Sequence, residues 1–408
     1  MESQYSYLSI NLSKKICKED KKKDGIFFTP SGIIRKNIEL LDYYMEKINT
    51  ILEPSCGSCE YIYALNKEYP SKKIVGIEYN DEIYNEISKI SLNNVEITKG
   101  DYLKTEDNKY DLIIGNPPFY VMKKSEVETE YYDYFTGRPN IFVLFILKSL
   151  KKLNNNGILS FVLPVNFMNG LYYDKIRKYI ARNYTILNLT IFKNNEDNIK
   201  FIDTTQETIL LIIQNKPPSV DENRYTKDIY QYTVYNDIEN IEYLNGIYSS
   251  TTNLYNMGFN VKVGNIVWNK EKSILTDNDN ETRLIYSSDI EENNLIMKDY
   301  KNEEKKNFIK MSGKNEPLII VNRGYGNGSY TFNYCLLDVE KTYLIENHLL
   351  YIEYNGEIKR DELLDEYKKI INSFNDPRTK EFIKIYFRNT AINSTELMYV
   401  MPIFMEYM

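Results

Sequence analysis

The sequence predicts an α/β protein, with a mostly parallel sheet in its first half and a mixed α+β domain in its second. Short runs rich in Ile, Leu and Val alternate with stretches of helical spacing as far as Gln214. Runs that are apolar at every residue belong to strands covered on both faces. The alternation stops at Pro217 and Pro218, a linker signal, and short mixed segments follow. A chain of 408 residues also exceeds what one core fills, about 250 to 300 residues, so two domains are expected.

In chain order, residues 1–24 are polar, end in Lys21-Lys22-Lys23 and are expected to form a mobile arm or an irregular cap. Phe28-Thr29-Pro30 then leads into a helix over Ser31 to Lys47, where Ile33, Ile34, Ile38, Leu41, Tyr44 and Met45 recur at helical spacing. Thr29 and Pro30 read as its cap. Strands are expected at Thr50–Glu53, Lys73–Glu78, Val95–Thr98, Asp111–Gly115, Gly157–Pro164, Thr185–Phe192 and Glu207–Gln214. Helices are expected at about Tyr61–Tyr69, Asn140–Leu153 and Leu171–Arg182. The polar, aromatic stretch Tyr120–Pro139 is too long for a simple connection and reads as a loop over an active site. Domain boundaries are expected at 25–218 and 225–408. Within the second domain, Met257–Trp268 reads as a strand or hairpin, Leu318–Cys335 as two strands around a Gly-rich turn, and Leu363–Phe374 and Pro377–Tyr386 as helices.

Composition narrows the function. Hydrophobic content of 42% and charged content of 27% describe an ordinary globular protein. No apolar run reaches the length of a membrane span, and Met1–Ile10 lacks the basic start and apolar centre of a signal peptide, so an intracellular protein is expected. A net charge of -7 opposes a nucleic-acid partner for the chain as a whole, yet 51 Lys and Arg residues suffice to line one cleft. With one histidine, His348, neither a His-based triad nor a multi-histidine metal site can be built, and no metal is expected. Cys56 and Cys59 form a C-x-x-C without the two further ligands that zinc needs, and read as part of a ligand loop.

The informative stretch is the end of the fourth strand, Asn116-Pro117-Pro118-Phe119. Two consecutive prolines remove two backbone donors and hold the chain extended, so the carbonyls of Asn116 and Pro117 are expected to stay free as acceptors. Asn116 adds a side-chain acceptor and Phe119 a ring, a constellation suited to docking a planar amine. A Pro-Pro turn with a buried Phe is the structural alternative.

This motif resembles the catalytic motif of the DNA amino-methyltransferases that act on the exocyclic N6 of adenine. The order of motifs, cofactor loop before catalytic loop before recognition domain, resembles their gamma class, of restriction-modification type. The resemblance implies a seven-stranded, Rossmann-like, S-adenosylmethionine-dependent methyltransferase domain followed by a target-recognition domain. It implies that the Asn116 side chain and the Pro117 carbonyl, held by Pro118, accept the hydrogens of the amine, and that Phe119 stacks on a flipped base. For the cofactor, it implies roles for Phe28, Thr29 and Pro30 at the methionine end and for Glu53, Pro54, Ser55 and Gly57 in the loop. It also implies Glu78 as the ribose acceptor, Asp101 as the adenine partner and Asn116 as a border of the same site. The loop departs from the family form, Glu-Pro-Ser-x-Gly-x-Gly, at Cys59, where the second glycine would be. Phe201 has a looser likeness to an aromatic on the far side of the base, with a buried loop anchor as the alternative. In the second domain Lys262, Lys270, Arg323, Tyr325 and Asn327 have the chemistry for DNA contacts. The partners implied are double-stranded DNA and a separate cognate restriction endonuclease. The rival readings are an RNA or protein-glutamine N-methyltransferase, and a non-catalytic, cofactor-binding specificity subunit.

Overall fold

The apolar runs of the first half are strands of one sheet in the computed structural model, which describes residues 4–408 except 193–198, 203, 205, 220–223, 301–303, 325–329 and 388–390. The chain divides into two compact units, Met1–Ile241 and Glu242–Met408. The first holds β1 (Thr50–Glu53), β2 (Lys73–Glu78), β3 (Val95–Lys99), β4 (Tyr110–Gly115), β5 (Leu153–Pro164), β6 (Thr185–Phe192) and β7 (Thr208–Gln214). They lie in the order β3-β2-β1-β4-β5-β7-β6. β1 pairs in parallel with β2 and β4, as do β2 with β3 and β4 with β5, whereas β7 runs antiparallel to both of its neighbours. The chain thus runs outward from β1 to β3, then returns to β4 on the other side of β1. That reversal opens a crevice at the carboxyl ends of β1 and β4.

Alternate strand residues feed two cores, as the pleat requires. On one face Leu52, Ile113, Leu159 and Phe161 pack against α6 (Ile141–Lys152) and α7 (Asp174–Asn183). On the other, Ile51, Leu112, Ile114 and Val162 share a core with α3 (Ser31–Met45), α4 (Glu60–Glu68) and α5 (Asp81–Ile87). A buried polar relay pins the second face: Ser160 Oγ donates to Asn37 Oδ1 at 2.6 Å, and Asn37 Nδ2 donates to the Tyr61 hydroxyl at 3.0 Å.

The expected arm at residues 1–24 is instead two helices, α1 (Tyr7–Lys15) and α2 (Lys18–Asp24). Ser6 caps the first through its side chain, and Leu12 and Ile16 bury themselves in the second core. Thr29 does not cap α3: Pro30 holds that position, and no side chain bonds the first turn. Past Pro218 the chain stays with the first unit through a hairpin, Thr226–Ile229 and Tyr232–Tyr235, because the buried guanidinium of Arg177 on α7 donates to the Thr233 carbonyl at 2.6 Å.

The second unit is built on a four-stranded antiparallel sheet, with Phe259–Val263 at one edge, then Leu349–Tyr354, Leu318–Asn322 and Tyr334–Leu337. Phe259–Val263 pairs with distant Leu349–Tyr354, so it is not part of a local hairpin. Helices follow at Arg360–Asn375 and Pro377–Tyr386. Among the described residues no helix is long and apolar enough to cross a membrane.

Replacing Asn37 by Leu strands two buried hydroxyls, on Ser160 and Tyr61. The expected loss is about 2 to 3 kcal/mol, read as a lower urea midpoint at unchanged slope.

Candidate active site

The loop after β1 and the tip of β2 meet first. Glu78 is 6% exposed, and its carboxylate accepts from the backbone N–H of Gly57 at 2.8 Å and of Asn80 at 2.7 Å. Burial pushes the Glu78 carboxyl upward, and the two backbone donors oppose that shift. Gly57 has a left-handed backbone, φ +50°, and faces the Phe28 ring. Cys59, in place of the second glycine, is also left-handed at φ 65° and fully buried. The position therefore keeps the conformation a glycine would supply, at a backbone cost of about 1 to 2 kcal/mol. Cys56 and Cys59 are free thiols; the hydrogen bond between them, then burial, holds the Cys56 thiol well above its ordinary value.

Asn116 sits across the crevice at the end of β4. Its Nδ2 donates to the Phe27 carbonyl at 3.0 Å, whereas its Oδ1 is buried and has no hydrogen-bond partner. Its backbone carbonyl is not free as expected, since the Ser55 hydroxyl donates to it at 3.2 Å and so ties the β1 loop to the β4 loop. The C-cap of α2 closes the motif from the other side. Gly25 has φ +67°, and a Cβ there would lie 2.7 Å from the Phe119 backbone nitrogen.

These elements surround a cavity of about 510 Å³. Of the expected cofactor residues, Phe28, Pro54, Ser55, Gly57, Glu78, Asp101 and Asn116 line it. Thr29, Pro30 and Glu53 lie outside its wall. Asp24, Glu78, Asp101, Glu126 and Glu128 face it against Lys23 and Lys104, an acidic lining suited to a cation. Met122, Glu126, Glu128 and Tyr131 come from the expected loop, whose base is closed by Met122 N–H donating to the Pro139 carbonyl at 2.9 Å. Sequence reasoning missed Tyr120, Met122 and the two glutamates; their only signal was the length of that loop.

Pro118 lines the cavity, and Pro117 is buried behind it. Phe119 does not line it; its ring meets Phe142 edge-on at 5.9 Å. Phe201 is 7% exposed and packs with Ile199 and Phe192, the anchor alternative. In the second unit Lys262 is ion-paired with Glu353, Lys270 is exposed, and Arg323 donates to the Asn347 carbonyl at 3.2 Å. Tyr325 and Asn327 lie outside the described residues.

Residues 3–199 match the model of the Eco57I restriction-modification methylase family. Over that span the chain is similar to restriction-modification methylases, and its full-length relatives are modification methylases as well. The modification methylase CviBIII of Paramecium bursaria Chlorella virus NC1A is 28% identical over 408 residues, which is 98% of this chain and 99% of that one. The type II methyltransferase M.CvrRI of Paramecium bursaria Chlorella virus XZ-6E is 28% identical over 92% of this chain and 93% of its own. Among solved structures, a DrdV–DNA complex aligns with 98% of this chain and 57% of its own at a TM-score of 0.54 and 13% identity, a likeness of fold.

Two outcomes follow from this geometry. Gly25→Ala is expected to cost more than the about 1 to 2 kcal/mol of a left-handed Cβ, because Phe119 must also give way; thermal unfolding of the variant measures it. Glu53 is buried, its Oε2 has no partner, and burial followed by the nearby Cys59 raises its carboxyl well above 4.5. The folded state therefore keeps a proton that the unfolded state releases, so this group's contribution to stability falls as pH rises from about 4.5 toward the folded value. Urea midpoints across that range are expected to drop more steeply for the wild type than for Glu53→Gln.

Proposed function

We propose that the chain transfers a methyl group from S-adenosyl-L-methionine to the N6 amino group of an adenine flipped out of double-stranded DNA. The observation that carries this reading is the Asn116 amide. Phe27 takes its Nδ2, which fixes the orientation of the amide and leaves a buried, unpartnered Oδ1 beside the cavity. A buried acceptor without a partner costs about 1 to 3 kcal/mol, a cost offset when a substrate N–H arrives. Asn116 Oδ1 accepts one amine hydrogen and the Pro117 carbonyl the other. Together they localise the nitrogen lone pair and turn it toward the cavity. The resulting ammonium is strongly acidic and loses its proton without a histidine base, so catalysis is positioning and polarisation.

The residues present fit the cofactor. Glu78, at the tip of β2, and Asp101 both line the cavity and are read as the acceptors for the ribose hydroxyls and the adenine amine, and the acidic lining suits a positively charged ligand. When bound, that cofactor supplies an electrophilic methyl on a sulfonium. Phe119 is read as the platform for the base, which requires its ring to be offered on the side away from Phe142. DNA is read as the acceptor because the chain is similar to restriction-modification methylases and type II methyltransferases. The second unit is read as the recognition domain, with Lys270 and Arg323 among its contacts, and a cognate endonuclease as a separate partner.

Asn116→Ala is expected to lower the methylation rate by roughly 10² to 10³ and to leave cofactor affinity within a few-fold. The assay is transfer of labelled methyl to unmethylated DNA, with the product base identified and its sequence context mapped. Label on cytosine, RNA or protein would overturn the substrate, and equal rates in the variant would overturn the role of Asn116.

A further inference from the structure

The segment Gln4–Ser9 bonds to two places far apart in sequence. On one side Ser9 Oγ shares a 2.7 Å hydrogen bond with Ser58 Oγ and donates to the Glu60 carboxylate, which also accepts from the Ser6 backbone N–H at 3.1 Å. Ser58 belongs to the β1 loop, next to Gly57 and its bond to Glu78, and Glu60 opens α4 just after it. On the other side the Tyr5 hydroxyl donates to the Lys200 carbonyl at 2.8 Å and accepts from the Ile202 N–H at 3.2 Å. The Gln4 amide donates to the same Lys200 carbonyl at 2.8 Å. One phenol thus holds the backbone on both sides of Phe201, ahead of β7. Burial raises the Tyr5 hydroxyl above its ordinary value, so it stays protonated and keeps both roles, donor and acceptor.

We infer that Tyr5 is a positioning residue for the Lys200–Ile202 segment, and that Gln4–Ser9 couples this segment to the cofactor loop. The strap has a consequence that packing alone lacks. A ligand that orders Gly57 and Ser58 also orders Ser9, and through the next turn of chain it steadies Tyr5 and the backbone beyond it. Each site then biases the other by the same factor. The inference rests on the methyl-transfer reading only for the identity of the two ligands. The bonds themselves are independent of it.

Tyr5→Phe keeps the ring in its buried place and removes the hydroxyl's bonds to Lys200 and Ile202. Amide hydrogen exchange on the full chain tests it directly. Exchange at Ile202 is expected to be roughly tenfold faster in the variant, the factor commonly carried by a lost hydrogen bond. S-adenosylhomocysteine, used as the probe, is expected to slow exchange at Ile202 in the wild type and not in Tyr5→Phe. In methylation assays the variant is expected to lose roughly tenfold in kcat/KM for DNA with the cofactor KM unchanged, a split that a general loss of stability does not produce. Ser9→Ala, which cuts the strap on its other side and leaves Tyr5 intact, is expected to abolish the response of Ile202 to the probe. Equal Ile202 exchange in wild type and Tyr5→Phe would overturn the positioning role. A probe response that survives in both variants would overturn the coupling. A wild type that shows the exchange effects but no methyl transfer would sink the methyl-transfer reading and keep the strap.

Discussion

The crevice depends on what the chain cannot do after Gly115. Pro117 and Pro118 have no N–H to give, and each disfavours helical backbone at the residue before it, so β4 does not run on into a helix at Asn116 and Pro117. Three elements from elsewhere then fix that exit. The Ser55 hydroxyl takes the Asn116 carbonyl, the Phe27 carbonyl takes its Nδ2, and Gly25 brings backbone against backbone at Phe119, where a Cβ would be 2.7 Å from nitrogen. The Asn116 Oδ1 is left without a partner. Fixing every neighbour of an acceptor and leaving the acceptor open is preorganisation: the cost of orienting it is met during folding, before any substrate arrives.

The same logic explains why the amino-terminal residues fold. On composition they are a polar arm, and no local apolar stripe predicts α1. Their partners are distant: Ser9 meets Ser58 and Glu60, Lys21 Nζ donates to Ser13, and Leu12 and Ile16 complete the core under α3. A short helix is marginal alone, and tertiary contacts decide it. With α2 ending in left-handed Gly25, the arm becomes one wall of the cavity.

What the sequence made legible follows from range. The central strands of the sheet could be read because a strand covered on both faces is apolar at nearly every residue, and the loop after β1 because Gly57 and Glu78 belong to a turn and a strand tip with few alternatives. Cys59 was legible as a departure but not as a left-handed residue, since nothing in a single letter shows φ. Thr29 looked like a cap because it stands just before a helix, yet the chain enters through Pro30 with the Ser31 N–H donating to the Gln4 carbonyl at 3.0 Å, a bond no local rule contains. The second unit was the least legible. Its central strands are apolar, but Phe259–Val263 finds its partner only at Leu349–Tyr354. Pairing across that distance leaves no local signature.

Charge and acceptor chemistry fit together at the crevice. Glu53 and Glu78 already sit at the tips of neighbouring strands, both buried; burial raises both carboxyls, and the charge of Glu78 adds to the rise at Glu53. An aspartate at position 116 would be a stronger acceptor than an amide, but it would add a third carboxylate to that cluster. Desolvation and like charge would push it toward the protonated form, and a protonated carboxyl gives up acceptor capacity to a donor. It would also compete for the positive charge that the acidic cavity is built to hold. A neutral amide accepts without joining that contest. Asn116 therefore suits its place for the reason that makes it hard to replace: it is polar enough to hold an amine and uncharged enough to remain an acceptor beside two buried carboxyls.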